Sequence, residues 1–395
     1  MPGGYRPAMR ASVERILTTH AGSLPRPPDL VALLARLNAG DRSVDPVGLT
    51  QLIDEAVGDA VARQHAAGID VGNDGEQGRE SFFTYVQHRM TGFGPDPDPA
   101  PRRWQDIDDF PGFAQIRAAQ RARGDQVTVT RPPAALGPVA YGDTAAIDAE
   151  CARMSALQAA TPFAEAFLTA PSPGIVTAAM ADRHYGDGRY LDAVGEALAV
   201  EYRQVVEAGL VLQIDAPDLA MERHCSFAGR PLAEFAAFVD RVVDTINVAL
   251  IGLPAERVRL HVCWGNYGGP HTHDVALDEL LPRLYRARVG GLLVSGGNPR
   301  HSHEYRAFAR HPLPDGWLLA AGVVDTTTNY VEHPEVIADR LERMVGAVGD
   351  PRRVLACTDC GFDTAAGFGL VAPDVAWAKL AALRAGADLA TSRLY

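Results

Sequence analysis

The stretch Val258–Tyr267 (VRLHVCWGNY) carries a histidine and a cysteine two residues apart, His261 and Cys263. Val258, Leu260 and Val262 alternate with Arg259, His261 and Cys263, the period of two that a strand imposes. The imidazole and the thiol therefore share one face, and a nitrogen and a sulfur pointing the same way are half of a zinc site. The other half must come from elsewhere in the chain, and the best donor is Cys360 in LACTDCGF. Catalytic zinc keeps three protein ligands and an open fourth position, which His261, Cys263 and Cys360 can supply. On the residues alone, a buried thiol pair beside a satisfied histidine is an equally available reading. Cys357 and Cys360 form a CxxC, but no thioredoxin-like pattern surrounds it. Alternation also puts these two thiols on different faces, so only Cys360 is assigned to the metal.

These residues are far apart in sequence, so a fold has to bring them together. Extended segments are expected at Arg15–Pro28, Ile69–Glu76, AFLTAPSPG, LVLQIDAPDL, VRLHVCWGN, GGLLVSGGN, WLLAAGVVD and RVLACTDCGF. Helical spacing separates them at Asp29–Asn38, Leu49–Ala67, Ala146–Ala159, Tyr190–Ala208, Leu232–Leu250, Leu277–Ala287, His303–Ala309, Pro334–Val348 and Asp374–Ala385. Strands alternating with helices ask for parallel pairing through crossovers, and eight such units point to a single (β/α)8 TIM barrel over residues 1–395. A doubly wound sheet would show a Gly-rich phosphate loop after its first strand, and HAGSLPRP is not one. In a barrel the strand ends meet at one mouth. That mouth would gather His20, Ser23, Asp74, Glu76, Ser172, Asp215, Asp218, His261, Cys263, Ser295, Asn298, Asp325, Asp359 and Cys360. Residues 79–145 are an excursion after the second strand, a lid or a subunit contact of a homo-oligomer. Within it a helix is expected at Arg79–Gly94, a proline-bound loop at Pro95–Pro101 and a small hairpin at Val127–Val139.

Composition narrows the function. The 395 residues are 47% hydrophobic and 22% charged, the balance of a soluble globular protein. A formal charge of −12 disfavours nucleic acid or an anionic membrane as partner. No apolar run is long enough to span a bilayer, and MPGGYRPAMRAS has no apolar signal core. Five cysteines in such a chain suit reduced thiols in a cytoplasm better than a disulfide framework.

The segments TTHAGSLPRP, NDGE with FFTYVQHRMTGFG, TAPSPG, QIDAPDLAMERH, HVCWGNYGGPH, NPRHSHEY, NYVEHPEVIADR and TDCGF follow one order from about Ile16 to Leu389. In that order the chain resembles the cobalamin-independent methionine synthase superfamily, in the form of its short single-barrel members typified by epoxyalkane:coenzyme M transferase. The resemblance implies zinc on His261, Cys263 and Cys360. It implies a small thiol activated there as a thiolate, which attacks an electrophilic carbon of an epoxide or methyl donor. Such activation is needed because a free aliphatic thiol is mostly protonated at neutral pH. Ser23, Glu76 and Asp215 match positions that in methionine synthases hold the amino acid part of homocysteine, and Glu76 and Asp215 are the catalytic candidates. His20, Asp218, Ser295 and Asn298 join Ser23, Glu76 and Asp215 as substrate holders. His301 could orient a ligand from behind, while His271, His273, His301 and His303 read as loop residues rather than a second metal site.

Two departures from the pattern stand out. Ser295 occupies the place of a further Glu ligand, and Thr327 that of a catalytic His. No folate-binding half-barrel accompanies the resemblance, so methyl transfer from a folate is not the expected reaction. The expectation is a zinc-dependent alkyl or methyl transferase acting on a thiol and an electrophilic co-substrate. Its alternatives are a metal-free decarboxylase or lyase like the uroporphyrinogen decarboxylase relatives, and a non-catalytic homologue that binds a thiol or metal.

Overall fold

The computed structural model describes residues 8–41, 43–100, 102–121 and 132–395. Its centre is a seven-stranded parallel sheet of β1 (Val71–Gly72), β4 (Glu165–Pro171), β5 (Val211–Asp215), β6 (Val258–Val262), β7 (Gly291–Val294), β8 (Leu318–Val324) and β9 (Val354–Thr358), paired in that order. Two further strands, β2 (Met90–Gly94) and β3 (Ala134–Tyr141), form a separate antiparallel pair. Every residue of β5, β6, β7 and β9 is buried, including the polar Gln213, Asp215, Arg259 and His261. Helices at Tyr190–Glu207, Leu232–Ala249, Leu277–Leu284 and Pro334–Val348 cross between consecutive strands and turn apolar stripes inward. No described helix is long and apolar enough to cross a membrane.

The eighth expected strand is reduced to two isolated parallel bridges, Thr18 to Ala356 of β9 and Thr19 to Val71 of β1. Side chains take over the pairing there. Thr18 donates its amide to Asp70 Oδ2 at 2.9 Å and its hydroxyl to the Gly68 carbonyl at 2.8 Å. Beyond it Gly22 lies at φ +136°, and Pro25, Pro27 and Pro28 lack the N–H that a ladder needs. The sheet is thus a curled parallel α/β sheet whose two edge strands both touch one short segment.

The excursion departs from expectation. Instead of a helix over Arg79–Gly94, a 3-10 turn at Thr84–His88 leads into β2. Gly92 explains the change: it sits at φ +87° beside a bulge, and a Cβ there would meet the Pro138 carbonyl oxygen at 2.6 Å. β3 pairs with β2 rather than within Val127–Val139, and residues 127–131 of that stretch lie outside the described ones. Helices at Gln105–Asp109 and Pro111–Arg121 were not anticipated. Buried ion pairs tie this region to the main body. Arg79 meets Glu150 at 2.8 Å, Arg89 meets Glu201 at 3.1 Å and also Glu150, and Tyr85 bonds Glu201. The last helix runs Pro373–Leu394, well past Ala385.

Candidate metal centre

β6 delivers His261 and Cys263 to the strand end, and the turn after β9 delivers Cys360. The three are buried, their ligand atoms lie within 4.8 Å of one another, and the two sulfurs are 4.0 Å apart. His261 Nδ1 lies 2.8 Å from Asp215 Oδ1, at the end of the neighbouring β5. The remaining ring nitrogen, Nε2, is buried with no hydrogen-bond partner. A buried polar atom left in this way costs about 1–3 kcal/mol, which a metal bond would remove. One imidazole and two thiols are zinc's preferred donors, and the set fits that ion. Cys357 packs against Ala21, Leu293 and Ala320 instead, and burial pushes its thiol up to about 12.

Charge in this cluster is strongly coupled. Burial alone would lower His261, but the Asp215 hydrogen bond and the Cys263 sulfur raise it to about 10. The hydrogen bond from Cys360 holds Cys263 well below the usual thiol range against the effect of burial, with His261 assisting. Cys360, bonded to that sulfur and buried, lies well above it. Without metal, charge is thus favoured on the Cys263 sulfur and a proton on the Cys360 sulfur.

Two cavities meet at these ligands. The larger, about 530 Å³, is lined by Ser23, Glu76, Asp215, His261, Cys263 and Cys360 at its floor and by Phe82, Phe83, Trp104 and Phe368 further out. The smaller, about 340 Å³, lies on the side of Ser295, Asn298 and Thr327 and shares Cys263 and Cys360. Glu76 Oε1 accepts the Thr169 hydroxyl at 2.9 Å, while Oε2 is buried without a partner. Burial and then the Asp215 charge raise this carboxyl to about 7. Asp215 spends Oδ1 on His261 and on Gln213 Nε2 at 2.7 Å, and its Oδ2 makes no hydrogen bond among the described residues.

The other expected site residues hold the frame. His20 lines neither cavity: its Nε2 meets Gln64 at 2.8 Å, and burial lowers it to about 4. Asp218 likewise lies behind the wall, accepting the Ser172 hydroxyl at 2.5 Å, and burial lifts it to about 7. Ser295 donates to the carbonyl of Asp359, next to Cys360, at 2.9 Å. Asn298 holds Asp359 through its amide at 2.8 Å, and Thr327 caps Asp325 at 2.8 Å. Asp274 escaped sequence reasoning. Its carboxylate meets His224 at 3.0 Å, His271 at 2.9 Å and His301 at 2.8 Å, binding three loops beside the smaller cavity. The paired histidines of GGPHTHD and NPRHSHE were the only trace of it in the sequence.

A parallel α/β sheet with a His–Cys–Cys cluster at its strand ends defines a class, and comparison with known proteins agrees. Over most of its length the chain is similar in sequence to methionine synthases and to a 2-hydroxypropyl-CoM lyase. The lyase of Xanthobacter autotrophicus is 23% identical over 383 residues, spanning 88% of this chain and 89% of that protein. A methionine synthase of Saccharolobus solfataricus is 23% identical over 383 residues, spanning 95% of each. A B12-independent methionine synthase from Shewanella sp. W3-18-1, solved with selenomethionine, superposes with a TM-score of 0.68 at 21% identity over 96% of this chain and 99% of that one, which shows a shared fold. No family model matches the chain.

Proposed function

We propose that the chain is a zinc-dependent thiol alkyltransferase, a single (β/α)8 barrel whose eighth strand is the Thr18–Thr19 segment and whose residues 79–145 form a lid. The observation that carries this reading is the buried Nε2 of His261, without a hydrogen-bond partner among the described residues, on a histidine clustered with two cysteine sulfurs. His261, Cys263 and Cys360 would hold the ion, and zinc there supplies a Lewis acid that favours a bound thiol's anionic form at neutral pH. The floor chooses the thiol. Asp215 Oδ2 is an acceptor without a donor among the described residues, so it suits the ammonium of an aminothiol, with the Ser23 hydroxyl in the same cavity. Glu76, whose carboxyl changes charge near neutrality, takes up the thiol's proton. The sulfur then attacks an electrophilic carbon, whose bond to its leaving group breaks as the leaving group departs with the electron pair. The aromatic outer wall of the larger cavity suits an apolar portion of the alkyl donor.

Purified protein should carry one zinc per chain, and an aminothiol should consume an alkyl or methyl donor in its presence. A wild-type protein that takes up neither zinc nor cobalt would overturn this reading in favour of a metal-free barrel enzyme. A protein that holds zinc but turns over no thiol with any donor would point to the non-catalytic homologue.

A further inference from the structure

Arg259 lies two residues before His261 on β6, on the same face and one step deeper. It is buried, stacks over the Phe167 ring at 4.0 Å, and makes no ion pair among the described residues. Its guanidinium donates from Nε to Gln213 Oε1 at 2.8 Å, and to the Thr19 hydroxyl and the His20 carbonyl at 3.2 Å each. A guanidinium only donates, so the Gln213 atom facing it must be the amide oxygen. The Gln213 amide nitrogen is thereby turned toward Asp215 Oδ1 at 2.7 Å and the Ala21 carbonyl, both acceptors. Asp215 Oδ1 faces His261 Nδ1 at 2.8 Å, and that nitrogen must then carry hydrogen, so Nε2 is the ring nitrogen left for a metal.

We propose that Arg259 and Gln213 are positioning residues that fix, through Asp215, the orientation in which the His261 ring presents Nε2 to a metal. The donor at Arg259 holds the Gln213 amide oxygen, the amide nitrogen anchors the position of Asp215 Oδ1, and that oxygen orients the ring. Partners of this kind are commonly worth about ten- to a hundredfold in metal affinity. The inference rests on the zinc reading above.

The test is cobalt(II) affinity, measured by chelator competition, together with the visible spectrum of the cobalt-loaded protein. Wild type, Arg259→Lys, Arg259→Met and Gln213→Glu are compared. Gln213→Glu is the discriminating variant. It gives buried Arg259 an ion partner, so a merely structural role leaves binding intact or improves it. The positioning role instead loses the donor to Asp215 and sets two carboxylates against each other. Affinity should fall by about tenfold or more in Gln213→Glu and Arg259→Met, with shifted cobalt bands, and be largely kept in Arg259→Lys. If Arg259→Met does not fold, Gln213→Glu decides alone. Wild-type cobalt binding that is unchanged in affinity and spectrum in Gln213→Glu would sink this inference while sparing the metal site. No cobalt binding by the wild type would remove the metal site, and this inference with it.

Discussion

Replacing Glu76 with glutamine should stabilise the metal-free protein above neutral pH and spare it that gain in acid. In the folded chain burial, followed by the charge of Asp215, raises the Glu76 carboxyl from 4.5 to about 7. A group whose folded pKa lies above its unfolded value binds more protons when folded. Its contribution is complete below the unfolded value and is lost as pH rises through the folded one. The window therefore opens near 4.5 and closes just above 7. With about 1.4 kcal/mol for each tenfold change in proton affinity, wild type should lose about 2–3 kcal/mol from this group between pH 5 and pH 8. The introduced amide would keep a carbonyl for the Thr169 hydroxyl and has no charge to bury. It does leave an N–H where Oε2 is unpartnered, a cost of about 1–2 kcal/mol that is the same at every pH. The observable is thus the pH dependence of the difference. Urea denaturation of both proteins, stripped of metal, should show Glu76→Gln gaining about 2–3 kcal/mol on wild type between pH 5 and pH 8. Parallel behaviour of the two across that range would refute the claim that Glu76 is held neutral by its surroundings.

Three further outcomes follow from the same geometry. With His261 raised to about 10 and the Cys360 thiol held well above the usual range, zinc binding near pH 8 should release at least one proton, read from calorimetry in buffers of different ionisation enthalpy; release of none would contradict the charge pattern. Cys263→Ser should purify without stoichiometric metal, and Ser295→Glu, facing the smaller cavity beside Cys263 and Cys360, should slow zinc loss to a chelator; metal analysis and chelator kinetics check the pair. Arg79→Met leaves the buried Glu150 carboxylate to Arg89 alone and should cost about 1–3 kcal/mol in a denaturant titration.

The parts of this molecule legible in its sequence are those with short-range periodicity. Strand alternation put His261 and Cys263 on one face, and the run of strand and helix patterns gave the parallel sheet. Cys360 was reachable because strand ends in such a fold converge. What failed has a physical reason in each case. The first segment looked like a strand, yet Asp70 and the threonine hydroxyls satisfy groups that a full ladder would have used. The region 79–94 has helical apolar spacing, but a left-handed Gly92 and a distant partner strand decide its form. Long-range pairing of that kind leaves no local signal.

The same limit applies to the site. A ligand's identity is written in its own residue, whereas the state of that ligand is set by groups that sequence spacing does not connect. Gln213 and Arg259 look like ordinary polar positions on two strands, and only the register of β5 against β6, which pairs Gln213 with Arg259 and Asp215 with His261, makes them a chain. That register places polar residues side by side on one inward face, two layers deep. The outer layer holds His261 and the Asp215 carboxylate. The inner layer holds a cation whose Nε and both terminal nitrogens each donate to a neighbour. A neutral residue at position 259 would leave the Gln213 amide oxygen without its donor, and the anchor on Asp215 weaker. The buried arginine is therefore better understood as part of the site than as an anomaly of the core.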